Sequence, residues 1–472
     1  MRTFTSPSRP LPQRARRVRL LLVAVLLFAV AACGSRAEDA GDTGGDEGLD
    51  APSGGGEGEE GGGEVPAPDA AEVGTIDNPC SDDAPEGTAP SDVPGVTDDG
   101  IRIGVISDRE NPTVPLPTVG IEEAVKAFVE FCNDAGGING RQLELKTYDS
   151  QIIRTDEATK AACRDDLFAL VGTGSVQDQQ GISTRLDCGL PEVGAYSATS
   201  SRAESDKFFQ PVVGTLSTFF NVGPCKYIAE QFPDAVKKAA IVYTDLPAAS
   251  VRGELIRDTC EAEAGFEFVV DEAQAFGDTD FASIVSQMQE EDVKYFTMVS
   301  AVSETVALLE EMQTQGIELE VLDLGQQYYD KALADSGVAD GAYVLTNTVP
   351  FAEADDYPAL GLYQQYVEKI GGGEDKVTTL GVQAFSAGLL WATAVDAMGN
   401  DVSQDGLITE LEGITEWDGG GLQMVTNPGE AVHNSCFLYL RLDGDEFKRE
   451  FPESDFECDE ANVVELDKAY TS

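Results

Sequence analysis

Two short runs hold residue types that can bind an anion or a carboxylate. Gly172-Thr173-Gly174-Ser175 follows an apolar run and precedes a helical pattern. Backbone N–H groups at a helix start, together with the Ser175 hydroxyl, can grip a negative group there. Tyr196-Ser197-Ala198-Thr199-Ser200 follows the next apolar run and offers a row of hydroxyls. Plain helix capping is the alternative use of both runs. Gly172-Thr173-Gly174 lacks the Gly-Lys-Ser/Thr ending of a nucleotide-phosphate loop. The one histidine, His433, leaves any His-assisted Ser or Cys hydrolase resting on a single residue and rules out a multi-His metal site. Its neighbours Val432 and Asn434 suit a surface loop, and no acidic pair stands in a setting that suggests catalysis. The reading is therefore a non-enzymatic chain that needs neither metal nor cofactor.

Cysteine comes next in chemical content. Besides Cys33 there are eight: Cys80, Cys132, Cys163, Cys188, Cys225, Cys260, Cys436 and Cys458. An even number in an exported chain points to disulfides, with many connectivities open. No CxxC spacing is present, which argues against a zinc ribbon or a thioredoxin motif. Export itself is read from the N-terminus, where Arg14, Arg16, Arg17 and Arg19 precede the aliphatic run Leu20–Val30. That order is a secretory signal, and the run is shorter than the about 20 residues of a spanning helix. Val30-Ala31-Ala32-Cys33 resembles the lipobox of bacterial lipoproteins. The resemblance implies cleavage after Ala32 and a diacylglyceryl group on Cys33, which supplies the two acyl chains that stable anchoring takes.

The chain has 31 Lys and Arg against 85 Asp and Glu, a formal net charge of -54. Phosphate backbones demand basic residues, so nucleic acid is excluded as a partner. Residues 33–99, acidic and Gly-rich, contain Gly54-Gly55-Gly56 and Gly61-Gly62-Gly63. Such a stretch buries too little apolar surface to offset its ordering entropy and reads as a structureless tether.

From residue 100 the pattern alternates. Ile101–Ile106 reads as a strand, and Val119–Asp134 has helical spacing, stopped by Gly136-Gly137. Further strands are expected at 143–147, 167–171 and 192–194, with helices at 155–166 and 176–187. A second series opens with a helix expected at Phe219–Phe232. Strands follow at 239–243, 266–271, 295–299 and 320–324, separated by helices at 250–264, 281–290 and 303–315. The fold class is thus α/β, with two doubly wound lobes whose ligand site lies beyond the carboxyl ends of the strands. Trp391, beside Leu389 and Leu390, reads as core.

The run Asn133-Asp134-Ala135-Gly136-Gly137-Ile138-Asn139-Gly140-Arg141, then Leu143–Asp149, resembles the type I periplasmic substrate-binding proteins, leucine/isoleucine/valine subgroup. Val171–Ser175, Pro191–Ala195, Asp280–Val285 and Ala384–Leu390 fit the same family. The resemblance implies a hinged fold with an interlobe cleft and three crossings, near Gln210–Gly214, Val344–Pro350 and Cys436–Arg441. The expected organisation is a signal peptide at 1–32, a tether at 33–99, lobe 1 at 100–212 and 347–434, and lobe 2 at 213–346 and 435–472. With two lobes in place, the cysteines pair as Cys80–Cys132, Cys163–Cys188, Cys225–Cys260 and Cys436–Cys458.

In the family a serine at the position of Ser175 meets the ligand carboxylate, and Ser197 and Thr199, beside Tyr196, fall in the second carboxylate loop. The opposite wall is expected from 244–249, 300–303 and 325–329. Amino-acid binders place a glutamate after the last of these strands to meet the ligand ammonium. Gln326 and Gln327 stand there instead, and an amide does not balance a buried ammonium. A neutral polar or carboxylate-bearing ligand suits them better. The rim loop 107–111 adds charge, with Arg109 as a possible anion contact. The resemblance further implies a monomeric lipoprotein on the outer face of the cytoplasmic membrane, serving the permease subunits of an ABC importer. The rival reading is a sensor that signals to a membrane receptor without transport.

Overall fold

The computed structural model describes residues 65–83, 92–109, 119–214 and 216–471. The leader 1–32, Cys33 and tether residues 33–64 and 84–91 lie outside the described residues, as do 110 and 111 of the rim loop. The rest of the stretch expected as structureless is ordered. Glu72–Val73 (β1) and Ile76–Asp77 (β2) pair as an antiparallel hairpin. Val73 is fully buried and Val96 nearly so, and a disulfide joins Cys80 to Cys132. Average composition hides these few apolar anchors. Gly74, at φ +60°, lies so close to the turn at Gly420 that an added Cβ would fall 1.9 Å from the Gly420 carbonyl oxygen.

Lobe 1 runs β3 (Gly100–Ser107), α1 (Val119–Asp134), β4 (Gln142–Asp149), α2 (Thr155–Ala162), β5 (Ala169–Thr173), α3 (Ile182–Cys188), β6 (Glu192–Gly194), α4 (Ser200–Ala203) and β7 (Phe208–Phe209). The strands are all parallel, in the order β4-β3-β5-β6-β7. Every residue of β5 is buried, as expected of a strand covered on both faces.

Lobe 2 runs β8 (Phe219–Asn221), α5 (Gly223–Gln231), β9 (Ala239–Thr244), α6 (Pro247–Ala264), β10 (Phe268–Gln274), α7 (Ala282–Glu290), β11 (Tyr295–Val299), α8 (Val302–Gln315), β12 (Val321–Leu324), α9 (Lys331–Ser336) and β13 (Tyr343–Thr346). The chain then returns to lobe 1 as α10 (Pro358–Lys369), α11 (Thr379–Met398) and α12 (Gln404–Gly413). Helices α10 and α11 pack on α1. Phe128 of α1 meets Phe385 and Trp391 of α11 edge-on, with centroids 6.1 and 6.5 Å apart, so Trp391 is core. Finally β14 (Cys436–Asp443) and β15 (Glu446–Phe451) join the second sheet in the order β10-β9-β11-β12-β13-β14-β15. The first five of these strands are parallel and the last two antiparallel.

Three segments therefore pass between the sheets: 210–218, 347–357 and 414–435. The third lies upstream of Cys436–Arg441, which forms the body of β14. The helix expected from Phe219 begins only at Gly223, because Phe219–Asn221 pairs instead with Val463–Glu465 (β17), a partner more than two hundred residues away. The other three disulfides are Cys163–Cys188, Cys225–Cys260 and Cys436–Cys458. The last of these joins β14 to Glu457–Cys458 (β16). Among the described residues no helix is long and apolar enough to cross a membrane.

Candidate functional site

The carboxyl ends of β5 and β6 face those of β9, β11 and β12 across a cavity of about 390 Å³, within the range of small-molecule sites. Tyr196, Ser197, Gln326 and Gln327 line it. Ser175 and Thr199 do not; each stands behind the wall, tied to a buried carboxylate.

The first carboxylate is Asp108, just after β3 and 1% exposed. Its Oδ1 accepts from Ser150 Oγ at 2.6 Å, Ile152 N at 2.6 Å and Ser175 Oγ at 3.3 Å, and its Oδ2 from Val176 N at 2.8 Å. Ser175 Oγ also lies 2.9 Å from Thr155 Oγ1. The anion gripped by this loop is thus the protein's own side chain. Ile152 and Val176, whose N–H groups it holds, present their side chains to the cavity. Burial pushes the Asp108 carboxyl up, against the four hydrogen bonds that pull it down.

The second is Asp178, before α3. Its Oδ2 accepts from Ala198 N at 2.7 Å and its Oδ1 from Thr199 Oγ1 at 2.6 Å. Thr199 also caps α4 by accepting from Arg202 N. Burial raises Asp178 to about 7, opposed by the Arg202 charge and these hydrogen bonds. Both carboxylates act on Tyr196, whose hydroxyl is pushed well above its usual range by burial first and then by their charges. Behind them Glu192 sits between Arg185, 3.1 Å away, and Arg202. Ser197 Oγ is buried without a hydrogen-bond partner.

On the lobe 2 wall the acid is Glu304, in the first turn of α8. Its carboxylate accepts from Gly277 N at 2.6 Å, Thr244 Oγ1 at 3.2 Å, Ala301 N at 3.3 Å and Ser300 Oγ. A carboxylate reaching back to free N–H groups at a helix start is a capping arrangement, and here it consumes the acid's acceptor capacity. Tyr328 is fully buried beneath this wall; its hydroxyl accepts from Ser300 N at 3.1 Å.

The walls meet through amides. Gln383 of α11 donates from Nε2 to Gln326 Oε1 at 3.2 Å and to Asn347 Oδ1, on the second crossing, at 2.7 Å. Gln383 is 1% exposed, and its Oε1 has no partner. Arg109 turns from the cavity to Glu122, at 2.9 Å. His433 lines the cavity with its ring stacked on Phe219, centroids 5.0 Å apart. Among the described residues no cluster of His, Cys, Asp and Glu could hold a metal ion.

Asp108, expected to add charge to the rim as part of the loop 107–111, is instead buried and hydrogen-bonded within the wall, and sequence reasoning passed over Asp178, Glu304 and Gln383. Glu304 had a signal, an acid in the first turn of a helical pattern. Gln383 is the one long polar side chain in the largely apolar run Thr379–Val395, where a buried amide needs partners.

Two wound lobes with three crossings and a cavity at facing strand ends define the two-lobe, hinged binding-protein class. The family model for periplasmic binding proteins matches residues 100–445, and the chain belongs to that family, in its type I fold. No curated protein sequence matches the chain significantly. Several solved structures share its fold. A branched-chain amino acid ABC transporter protein from Thermus thermophilus with bound valine is 14% identical, covering 77% of this chain and 98% of that one at a TM-score of 0.66. An ABC transporter solute-binding protein from R. palustris in complex with 4-hydroxybenzoate is 17% identical, covering 76% and 98% at 0.64. A fatty acid ABC transporter substrate-binding protein from Thermomonospora curvata is 18% identical, covering 82% and 97% at 0.63.

Proposed function

We propose that this chain is an extracytoplasmic solute-binding lipoprotein of an ABC importer. Cys33 carries the lipid anchor on the outer face of the cytoplasmic membrane. The lobes close over one small molecule and present it, chemically unchanged, to the permease subunits. Tyr196, Ser197, Gln326 and Gln327 contact the ligand, while Ser175 and Thr199 steady the loops through Asp108 and Asp178. The observation that carries this reading is a single cavity whose walls come from both lobes. Crossings at three points let such walls part and meet. The related structures are named for valine, 4-hydroxybenzoate and fatty acids, so the fold accepts amino acids and other small carboxylates, and the wall chemistry of this chain selects among them.

Thermal melting and solution scattering with a panel of amino acids, amides and carboxylates test it. A true ligand at a hundredfold excess over Kd adds about 2.7 kcal/mol to stability and shrinks the radius of gyration. If no solute in a broad panel moves either reading, solute capture is wrong.

A further inference from the structure

The cavity lining mixes amides with a larger set of apolar side chains. Beside the Gln326 and Gln383 amides, its lining includes Leu216, Phe219, Phe220, Ile256 and Phe437, and Arg252 on α6. The Arg252 guanidinium carbon lies 4.9 Å from the centre of the Phe220 ring. Among the described residues that line the cavity, the Lys, Arg, Asp and Glu side chains are Arg252 and Glu304. Glu304 already accepts from two hydroxyls and two backbone N–H groups, which leaves it little to offer a ligand ammonium. Among the described residues of lobe 1, the loop at Ser175 is already filled by Asp108 and the loop at Thr199 by Asp178, so neither is open to a ligand carboxylate.

We propose that the ligand is a largely apolar carboxylate without an ammonium group, its carboxylate meeting Arg252 on α6 of lobe 2. Its body lies along the phenylalanines. A hydroxyl on the ligand, where it has one, donates to the unpartnered Gln383 Oε1. Guanidinium and carboxylate form charge-assisted, often paired, hydrogen bonds, which an apolar surround strengthens. Burial lowers Arg252 to about 10, which keeps it cationic at neutral pH.

This inference rests on the solute-capture reading but fails separately from it. Calorimetry on the mature full chain compares matched probes: 3-phenylpropanoate, 3-phenylpropanamide and phenylalanine, with octanoate, octanamide and 2-aminooctanoate as a second set. The carboxylates are expected to bind at least roughly tenfold more tightly than their amides and amino acids. Arg252→Gln brings the carboxylates down to the amide level and leaves the amides within about threefold, while Arg252→Lys restores part of the difference. Equal carboxylate affinity in a folded Arg252→Gln protein overturns the proposal. So does tighter binding of either amino acid, or binding of none of the six probes. Solute capture survives each of these results if another solute binds and compacts the protein.

Discussion

Asp178 is the residue whose charge state most affects this wall, because it holds Ala198 N and Thr199 Oγ1 and so fixes the loop that carries Tyr196 and Ser197. Its native carboxyl titrates at about 7, whereas an unfolded aspartate titrates near 4. Between those values the unfolded chain has released a proton that the folded chain retains. Stability therefore falls as pH rises from about 4 to about 7, by at most on the order of 4 kcal/mol from this group. Asp178→Asn abolishes that slope. Melting temperatures at pH 4.5 and 7.5 should show the variant gaining on the parent at the higher pH; a difference between the two that ignores pH refutes the assignment. Asp108 gives a second residue-scale expectation. In Asp108→Asn the amide nitrogen faces Ile152 N–H or Val176 N–H, two donors with no acceptor between them, at a cost of about 1–3 kcal/mol by denaturant titration. The same change weakens ligand binding, since Ile152 and Val176 shape the cavity.

The N-terminal hairpin shows at the level of elements what composition overlooks. Val73 is buried against lobe 1 although acids and glycines dominate its surroundings. Replacing Cys80 and Cys132 together with serine frees this segment. The expected loss is about 2–4 kcal/mol, with proteolysis first cutting between residues 65 and 99 while the rest of the fold stays intact. Uniform resistance to protease in the double variant would show that packing alone holds the hairpin. The contrast with the wound elements has a physical basis. Helices such as Val119–Asp134 announce themselves by local periodicity and the glycines just beyond their ends, and strands such as Ala239–Thr244 by a short continuous apolar run. The hairpin, the β8–β17 pair and the third crossing each depend on a partner remote in sequence, which local pattern does not encode. The site divides the same way. The positions of the Ser175, Ser197 and Gln326 loops follow from strand order, whereas the capture of Ser175 by Asp108 and the burial of Glu304 at a helix start depend on which side chains the fold brings face to face.

Across the whole molecule, solute capture as proposed implies a balance between open and closed lobes, set where the walls touch. Gln326 follows β12 of lobe 2, Gln383 belongs to α11 of lobe 1, and Asn347 lies on a crossing segment. One buried amide thus ties both lobes to the hinge at 3.2 and 2.7 Å. Parting the lobes exposes all three amides to water, which satisfies them, so the arrangement holds the lobes together only weakly until a ligand adds its contacts. Gln383→Ala removes two neutral hydrogen bonds of about 0.5–1.5 kcal/mol each and leaves Gln326 and Asn347 unpartnered in the joined state alone. The joined state loses population, and apparent affinity falls with it, by roughly five- to a hundredfold. Association rates for any bound solute should change little and dissociation rates should rise, because the contacts broken are ones formed after encounter. Scattering of the unliganded variant should show a larger radius of gyration than the parent. An unchanged radius with weakened binding would instead assign Gln383 to direct ligand contact through Oε1, and the hinge balance would then rest on the apolar faces of the crossings.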